Sequence, residues 1–306
     1  MNYVEFKGET GFRVAAVYLL LWASSVVILA SCGADWVFPI VALLLFGVAL
    51  SALSWWLTGR ADPPPAAMRD AKRLSLGLFC YLAFYAVVVV GWGLGLIKQA
   101  LPEGPMRVST VLGYKLVFHV AIPGALIMRL GGNLRETFDP GLWRKGVPLT
   151  FGIFAAICFG LLAILSPSLR QIAETGVKGG QLLFWVGLSW LWMSIEAGLC
   201  EEYLFRAGLQ SALASWLRSP LGGILIASVL FALAHWPGLY LRGGPEVDGW
   251  STNPVQVAAF TIATLSPVAI FMGVLWARTR SLVLIVFIHG AIDALPHTAA
   301  MIQTFG

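Results

Sequence analysis

Uninterrupted apolar runs of membrane-crossing length recur along almost the whole chain, and they dictate what it can fold into. A helix needs about 20 mostly apolar residues to cross the hydrocarbon core of a bilayer. The runs are Val14 to Ser31, Trp36 to Trp56, Leu74 to Ile97, Ser109 to Met128 and Pro148 to Leu165, then Gln181 to Cys200, Leu221 to Trp236, Val255 to Ala277 and Leu282 to Ala300. They are continuous rather than alternating, and a helix satisfies its own backbone hydrogen bonds in lipid, so helices are expected in place of a closed barrel. Only 11% of the residues are charged, against roughly 25% in soluble domains. The expected fold is all-α, a polytopic transmembrane helical bundle of eight or nine spans. The shorter runs, such as Leu221 to Trp236, are candidates for burial inside the bundle.

Lys and Arg orient such a bundle, because cytoplasmic loops collect them. With nine spans, one side takes Lys7, Arg13, Arg60, Arg69, Lys72, Arg73, Arg129, Arg135, Arg144, Lys145, Arg206, Arg218, Arg278 and Arg280, fourteen in all. The other side takes five: Lys98, Arg107, Arg170, Lys178 and Arg242. The N-terminus is therefore expected in the cytoplasm, and the composition points to a bacterial inner (plasma) membrane. The basic residues form no patch, so nucleic acid is not an expected partner despite the formal charge of +5.

The chain divides into an N-terminal transmembrane hairpin (1–57), a Pro-rich cytoplasmic linker (58–73) containing Pro63 to Pro65, a scaffold of membrane helices (74–180) and a core (181–300) that holds the unusual residues. Trp36, Trp55, Trp56, Trp143, Trp236 and Trp250 sit near span ends, as an interfacial belt places them. Cys32, Cys80, Cys158 and Cys200 have no metal-like spacing and read as small core residues. Leu29 to Cys32 also has the form of a lipoprotein processing box, which small apolar residues mimic easily.

Ionisable residues inside spans are the informative exception, since Asp, Lys or Arg at a helix centre costs about 2.5–3.5 kcal/mol on insertion scales. They form three clusters: Glu201-Glu202-Tyr203-Leu204-Phe205-Arg206, then Phe231-Ala232-Leu233-Ala234-His235, then His289-Gly290-Ala291-Ile292-Asp293. Glu202 and Arg206 are four apart and can form an ion pair on one helix face. Glu201 is rotated from Glu202 by about 100°, so it faces another neighbour. An unpaired carboxylate in apolar surroundings makes a competent general base. His235 shares a face with Phe231, and Asp293 is placed to hold His289 in one tautomer. A base, a water-positioning histidine and an oxyanion donor suffice for peptide hydrolysis by activated water. Phe231 and Trp236, the aromatic neighbours of His235, are candidate substrate contacts. Lys115 and His119 share a face of the fourth span and read as packing or snorkelling groups, and Glu196 as a helix-to-helix hydrogen-bonding group.

The motifs CEEYLFRAG, SVLFALAHWPG and LIVFIHGAID, in this order on successive spans, resemble those of the CAAX protease and bacteriocin-processing enzyme family, which includes the Ras-converting CAAX prenyl endopeptidases. The resemblance extends over about 181–300, with none before it. It implies an intramembrane endopeptidase in which Glu201 activates water assisted by His235, Glu202 and Arg206 support the site, and His289 with Asp293 stabilises the oxyanion. The prenyl-processing branch usually has Asn at the last position. Asp293 donates a hydrogen bond only when protonated, so it is expected to orient His289, and prenyl specificity does not transfer. The implied partners are the bilayer and a protein or peptide substrate whose C-terminal region is membrane-anchored or lipid-modified: a prenylated tail, a bacteriocin leader or a sorting anchor. No cofactor is expected. The alternative is zinc on Glu201, His235 and His289, since the family has often been labelled metalloproteases. Against it, the helix pattern His-Glu-x-x-His is absent and Arg206 adds a positive charge nearby. Two rival functions are a non-catalytic member that binds peptides or membrane partners, and an ion-coupled transporter, for which repeated broken helices would be expected in both halves.

Overall fold

A computed structural model describes residues 8–59, 68, 70–137 and 140–306. Among these, nine helices are long and apolar enough to cross a membrane: α1 (Gly8–Ser31), α2 (Val37–Leu57), α3 (Ala71–Ala100), α4 (Pro105–Arg129), α5 (Val147–Leu165), α6 (Gly180–Leu217), α7 (Pro220–Arg242), α8 (Pro254–Thr279) and α9 (Leu282–Phe305). No strand occurs among the described residues. The chain is an all-α integral membrane protein. Most of the Pro-rich stretch 58–73, including Pro63 to Pro65, lies outside the described residues, as do Lys7, Arg60 and Arg69.

One span departs from expectation. The run expected to end at Cys200 continues to Leu217 as a single 38-residue helix. The polar stretch Glu201 to Arg206 interrupts the hydropathy but not the helix, because Glu202 and Arg206 are turned into the bundle and buried. Arg206 therefore belongs to a span rather than a loop, which leaves thirteen basic residues against five in the charge bias.

The core is built where α3, α6, α7, α8 and α9 meet, around Leu78, Tyr203, Phe205, Phe231, Phe271 and Ile288. α8 is the most deeply buried helix of the nine. α1, the run ahead of the Leu29–Cys32 box, packs into the bundle: Tyr18 joins Ile224, Leu225 and Ile270, and Leu29 joins Ala259 and Ala263. Two long-range hydrogen bonds hold it there, Tyr18 Oη with Ser266 Oγ at 3.1 Å and Trp22 Nε1 to the Ala263 carbonyl at 3.0 Å.

The turns that set the last four helices are short and share one device. Arg218 ends α6 in the left-handed conformation (φ 50°), and Ser219 then caps α7, accepting from Gly222 N at 3.1 Å. Arg280 (φ 49°) and Ser281, which accepts from Leu284 N at 3.2 Å, repeat the pattern between α8 and α9. A bulky residue in this conformation is strained unless its surroundings hold it. Arg280 is held by a hydrogen bond from Nη1 to Ser211 Oγ at 2.7 Å and by the Trp276 ring, 5.2 Å from its guanidinium carbon. The result is two tight helical hairpins, α6–α7 and α8–α9.

The hairpins interlock through glycine. A β-carbon at Gly198 on α6 would stand 2.3 Å from the Val286 carbonyl oxygen of α9, and one at Gly290 would stand 2.7 Å from the Ser194 Cα. Backbones approach this closely only where side chains are absent. On α9 the crossing includes His289, and on α6 it ends three residues before Glu201. Gly290→Ala is therefore expected to lower stability by about 1–3 kcal/mol in detergent unfolding, since no rotamer relieves a clash with backbone. Gly152→Ala on α5, whose methyl group meets nothing within 4 Å, should be neutral. Equal unfolding midpoints for the two variants would contradict the close crossing.

Candidate active site

The site is assembled from α6, α7 and α9. On α6, Cys200–Glu202 lies between two π-helical segments, Ser194–Leu199 and Tyr203–Gln210. Such segments cluster at functional sites because they shift the register of the side chains beyond them. Glu202 is fully buried and Arg206 nearly so, with Arg206 Nε 3.2 Å from Glu202 Oε2. The guanidinium lies over the Phe231 ring, 4.4 Å from its centroid. Glu202 has a second partner that its spacing did not reveal: Oε1 accepts from His289 Nδ1 at 2.6 Å.

Glu201 points elsewhere. Its Oε2 lies 3.8 Å from His235 Nε2 and 3.7 Å from His289 Nε2. It is thus set between two imidazoles rather than standing unpartnered, as the sequence reading had it. The ring tautomers follow from their other contacts. His235 Nδ1 donates to the Phe231 carbonyl at 2.8 Å, which leaves Nε2 free to accept when the ring is neutral. His119 and His297 likewise donate from Nδ1 to a carbonyl four residues back. His289 differs from these three, since a carboxylate rather than a peptide carbonyl backs its Nδ1. Such a partner holds the ring and can neutralise charge that develops on it.

Asp293 also stands beside His289, but at the other ring nitrogen from Glu202. Its Oδ2 lies 3.5 Å from His289 Nε2, on the same side as Glu201. Glu202, at Nδ1, is the carboxylate that orients the ring. Side-chain exposure separates the groups: Glu202 0% and Arg206 3% against Glu201 14%, Asp293 28% and His235 35%. The first two are closed off from solvent, and the last three are partly accessible.

Of the aromatic candidates, Phe231 is buried beneath the site, packed against Phe205 and His235 with ring centroids 5.1 and 4.6 Å away. Trp236 is half-buried, and its Nε1 has no hydrogen-bond partner among the described residues.

A second layer includes residues that sequence reasoning set aside. Lys115 does not snorkel; its Nζ pairs with Glu196 Oε1 at 3.1 Å, and Trp192 Nε1 donates to Glu196 Oε2 at 2.6 Å. His119 is hydrogen-bonded to the buried Tyr85 hydroxyl. Lys115, His119 and Tyr85 all lie within electrostatic range of Glu201. Charged groups in the fourth and sixth spans were visible in the sequence, whereas Tyr85 carried no signal.

The nearest separations among the zinc alternative's ligands are 3.8 Å from Glu201 Oε2 to His235 Nε2 and 3.7 Å to His289 Nε2, against roughly 3.4 Å between tetrahedral zinc ligands. No group of three or more His, Cys, Asp or Glu spaced to hold a metal occurs among the described residues.

The buried ion pair yields a stability test. Arg206→Leu is expected to cost about 3–5 kcal/mol, because it strands a buried carboxylate, and Arg206→Leu with Glu202→Leu should cost less than the single change. Unfolding titrations in mild detergent measure both, and a double variant less stable than the single one would contradict the pairing.

Comparison with known proteins agrees with the motif-bearing half. No solved structure matches the chain. Among curated proteins, ATP synthase subunit a of Oleidesulfovibrio alaskensis is 28% identical over 149 residues, which is 48% of this chain and 62% of that protein, so the chain spans less than two thirds of that relative's length. Residues 182–295 match the family described as Type II CAAX prenyl endopeptidase Rce1-like, a segment that holds Glu201, Glu202, Arg206, His235, His289 and Asp293 together. Over that segment the chain is similar to the CAAX protease family, a family of peptidases that act on protein substrates.

Proposed function

We propose that the chain is an intramembrane endopeptidase that hydrolyses a peptide bond of a membrane-associated protein by glutamate-activated water, without a metal. The observation that carries this reading is the convergence of Glu201 Oε2 with Nε2 of His235 and Nε2 of His289, on three helices, at 3.7–3.8 Å. These separations exceed a direct hydrogen bond, and a water at ordinary hydrogen-bond distance can bridge them. In the proposed step Glu201 takes a proton from that water, with His235 Nε2 accepting its second hydrogen bond. The water oxygen attacks the carbonyl carbon. A proton on His289 Nε2 donates to the oxyanion, and the Glu202 carboxylate, itself neutralised by Arg206, holds that ring. The C–N bond then breaks, and the proton passes from Glu201 to the departing amine. Asp293, beside the same nitrogen, would fix where that proton rests between turnovers.

The alternatives draw less support. A binding-only member would have no need to keep every motif residue in mutual contact. A transporter of the inverted-repeat kind would carry ionisable groups in both halves, whereas the three motif clusters lie on α6, α7 and α9 alone. The substrates proposed are proteins with a membrane-anchored or lipid-modified C-terminal region. The membrane is proposed to be a bacterial plasma membrane with the N-terminus in the cytoplasm, on the strength of the basic-residue bias.

Comparative C-terminal proteomics of membranes carrying wild-type or Glu201→Ala protein should reveal the substrates as C-termini present only with the wild type. On a substrate so identified, purified Glu201→Ala is expected to lose about 10²–10⁴-fold in cleavage rate while folding normally. His289→Ala should lose about 10²–10³-fold, the size of a missing oxyanion donor. Full processing by purified Glu201→Ala would end the proposal.

A further inference from the structure

We propose that Glu201 is reached from the end of the bundle where α3 turns into α4, so that the chain cleaves on the face opposite its basic loops, outside the cytoplasm. A cavity of about 680 Å³ opens at that end, lined by Lys98, Arg107, Trp192, Glu196, His297 and Thr304 among others. Its polar walls lead inward along two helices. On α6, Glu196 lies five residues before Glu201, about 7.5 Å along the axis at 1.5 Å per residue. On α9, His297 is one turn beyond Asp293 and donates to its carbonyl. Lys115 on α4 pairs with Glu196, which lines the cavity. Polar side chains thus lie on both helices between the cavity and the reactive carboxylate.

At the opposite end the described residues are tightly packed and hydrogen-bonded. Beyond Arg206, Gln210 Nε2 donates to the Gly273 carbonyl at 2.8 Å, and Trp276 Nε1 and Arg280 Nη1 both donate to Ser211 Oγ at 2.9 and 2.7 Å. Arg144 Nη1 donates to the carbonyls of Thr279 and Arg280 at 2.7 and 2.9 Å, and Ser281 Oγ to that of Pro140 at 2.7 Å. Gln210, Ser211, Trp276, Thr279 and Ser281 are all buried. Among the described residues, this stack of satisfied polar groups and one large ring stands between Arg206 and the loops that carry most of the Lys and Arg. Those loops mark the cytoplasmic side. The consequence for substrates rests on the peptidase reading: the scissile bond lies at the extracytoplasmic border of a membrane anchor. The access route does not need that reading.

Access is measurable without cleavage. Cys32→Ser and Cys80→Ser remove the exposed thiols, and Glu201→Cys or His235→Cys then serves as reporter. The probe is a membrane-impermeant, alkylammonium methanethiosulfonate reagent applied to right-side-out and inside-out vesicles. Labelling is expected to be at least about tenfold faster in right-side-out vesicles, because a fixed charge does not cross the hydrocarbon core. Val108→Trp with Thr304→Trp, across the cavity, should slow it by a similar factor. The sidedness comparison stands by itself if the plugged variant fails to fold. Faster labelling of inside-out vesicles, labelling indifferent to a folded plug, or no labelling of either reporter from either face would each overturn the proposal. Full processing by Glu201→Ala would remove the peptidase reading and leave the labelling result intact.

Discussion

A charge inside an apolar bundle must find its compensation within the bundle, and the rest of this structure is arranged around that requirement. Glu202 and Arg206 are both withdrawn from solvent, and neither would be tolerated without the other. A pair of this kind contributes little net stability over an apolar replacement. Its presence makes sense through what it holds. The second oxygen of Glu202 takes the Nδ1 proton of His289, so one helix turn on α6 fixes the orientation of a ring on α9. The glycine crossing a turn away brings the two backbones close enough for a 2.6 Å contact. Packing and electrostatics depend on each other here.

Two adjacent glutamates consequently have unlike surroundings. Glu202 is enclosed by a guanidinium, an imidazole and the Phe231 ring, and is a structural anion. Glu201, one residue earlier, faces two imidazole nitrogens at 3.7 and 3.8 Å, beyond direct hydrogen bonding, and remains partly accessible. The division follows from helical rotation combined with the neighbours available on each side, α9 for Glu202 and both α7 and α9 for Glu201. The three histidines whose Nδ1 is tied to a backbone carbonyl are locked by their own helices, whereas His289 is locked by another helix. Its position therefore reports directly on whether the bundle is correctly assembled.

The outer helices serve this core in different ways. α1 and α2 pad α8, the most buried helix, and present apolar side chains outward, as a lipid environment permits. α3 and α4 bring a second polar layer, Tyr85 with His119 and Lys115 with Glu196, up to the reactive face. This layer joins the half of the chain without motifs to the half that has them.

Hydropathy is a local property, so the number and approximate limits of the spans could be read from residue order, and α6 was the exception because its polar turn interrupts the apolar run without ending the helix. The pairs Glu202–Arg206 and His289–Asp293 were legible for the same reason, since residues four apart share a helix face wherever the helix lies. Which of the two carboxylates would hold His289 was not. Glu202 and His289 are 87 residues apart, and their contact depends on how α6 and α9 are rotated and how closely glycine lets them cross. The same holds for Lys115 with Glu196 and Tyr85 with His119, whose partners lie 81 and 34 residues away. Residue order alone determined which groups needed partners in a membrane; only the packed bundle decided which partners they found, because helix rotation and spacing are set by contacts remote in the chain.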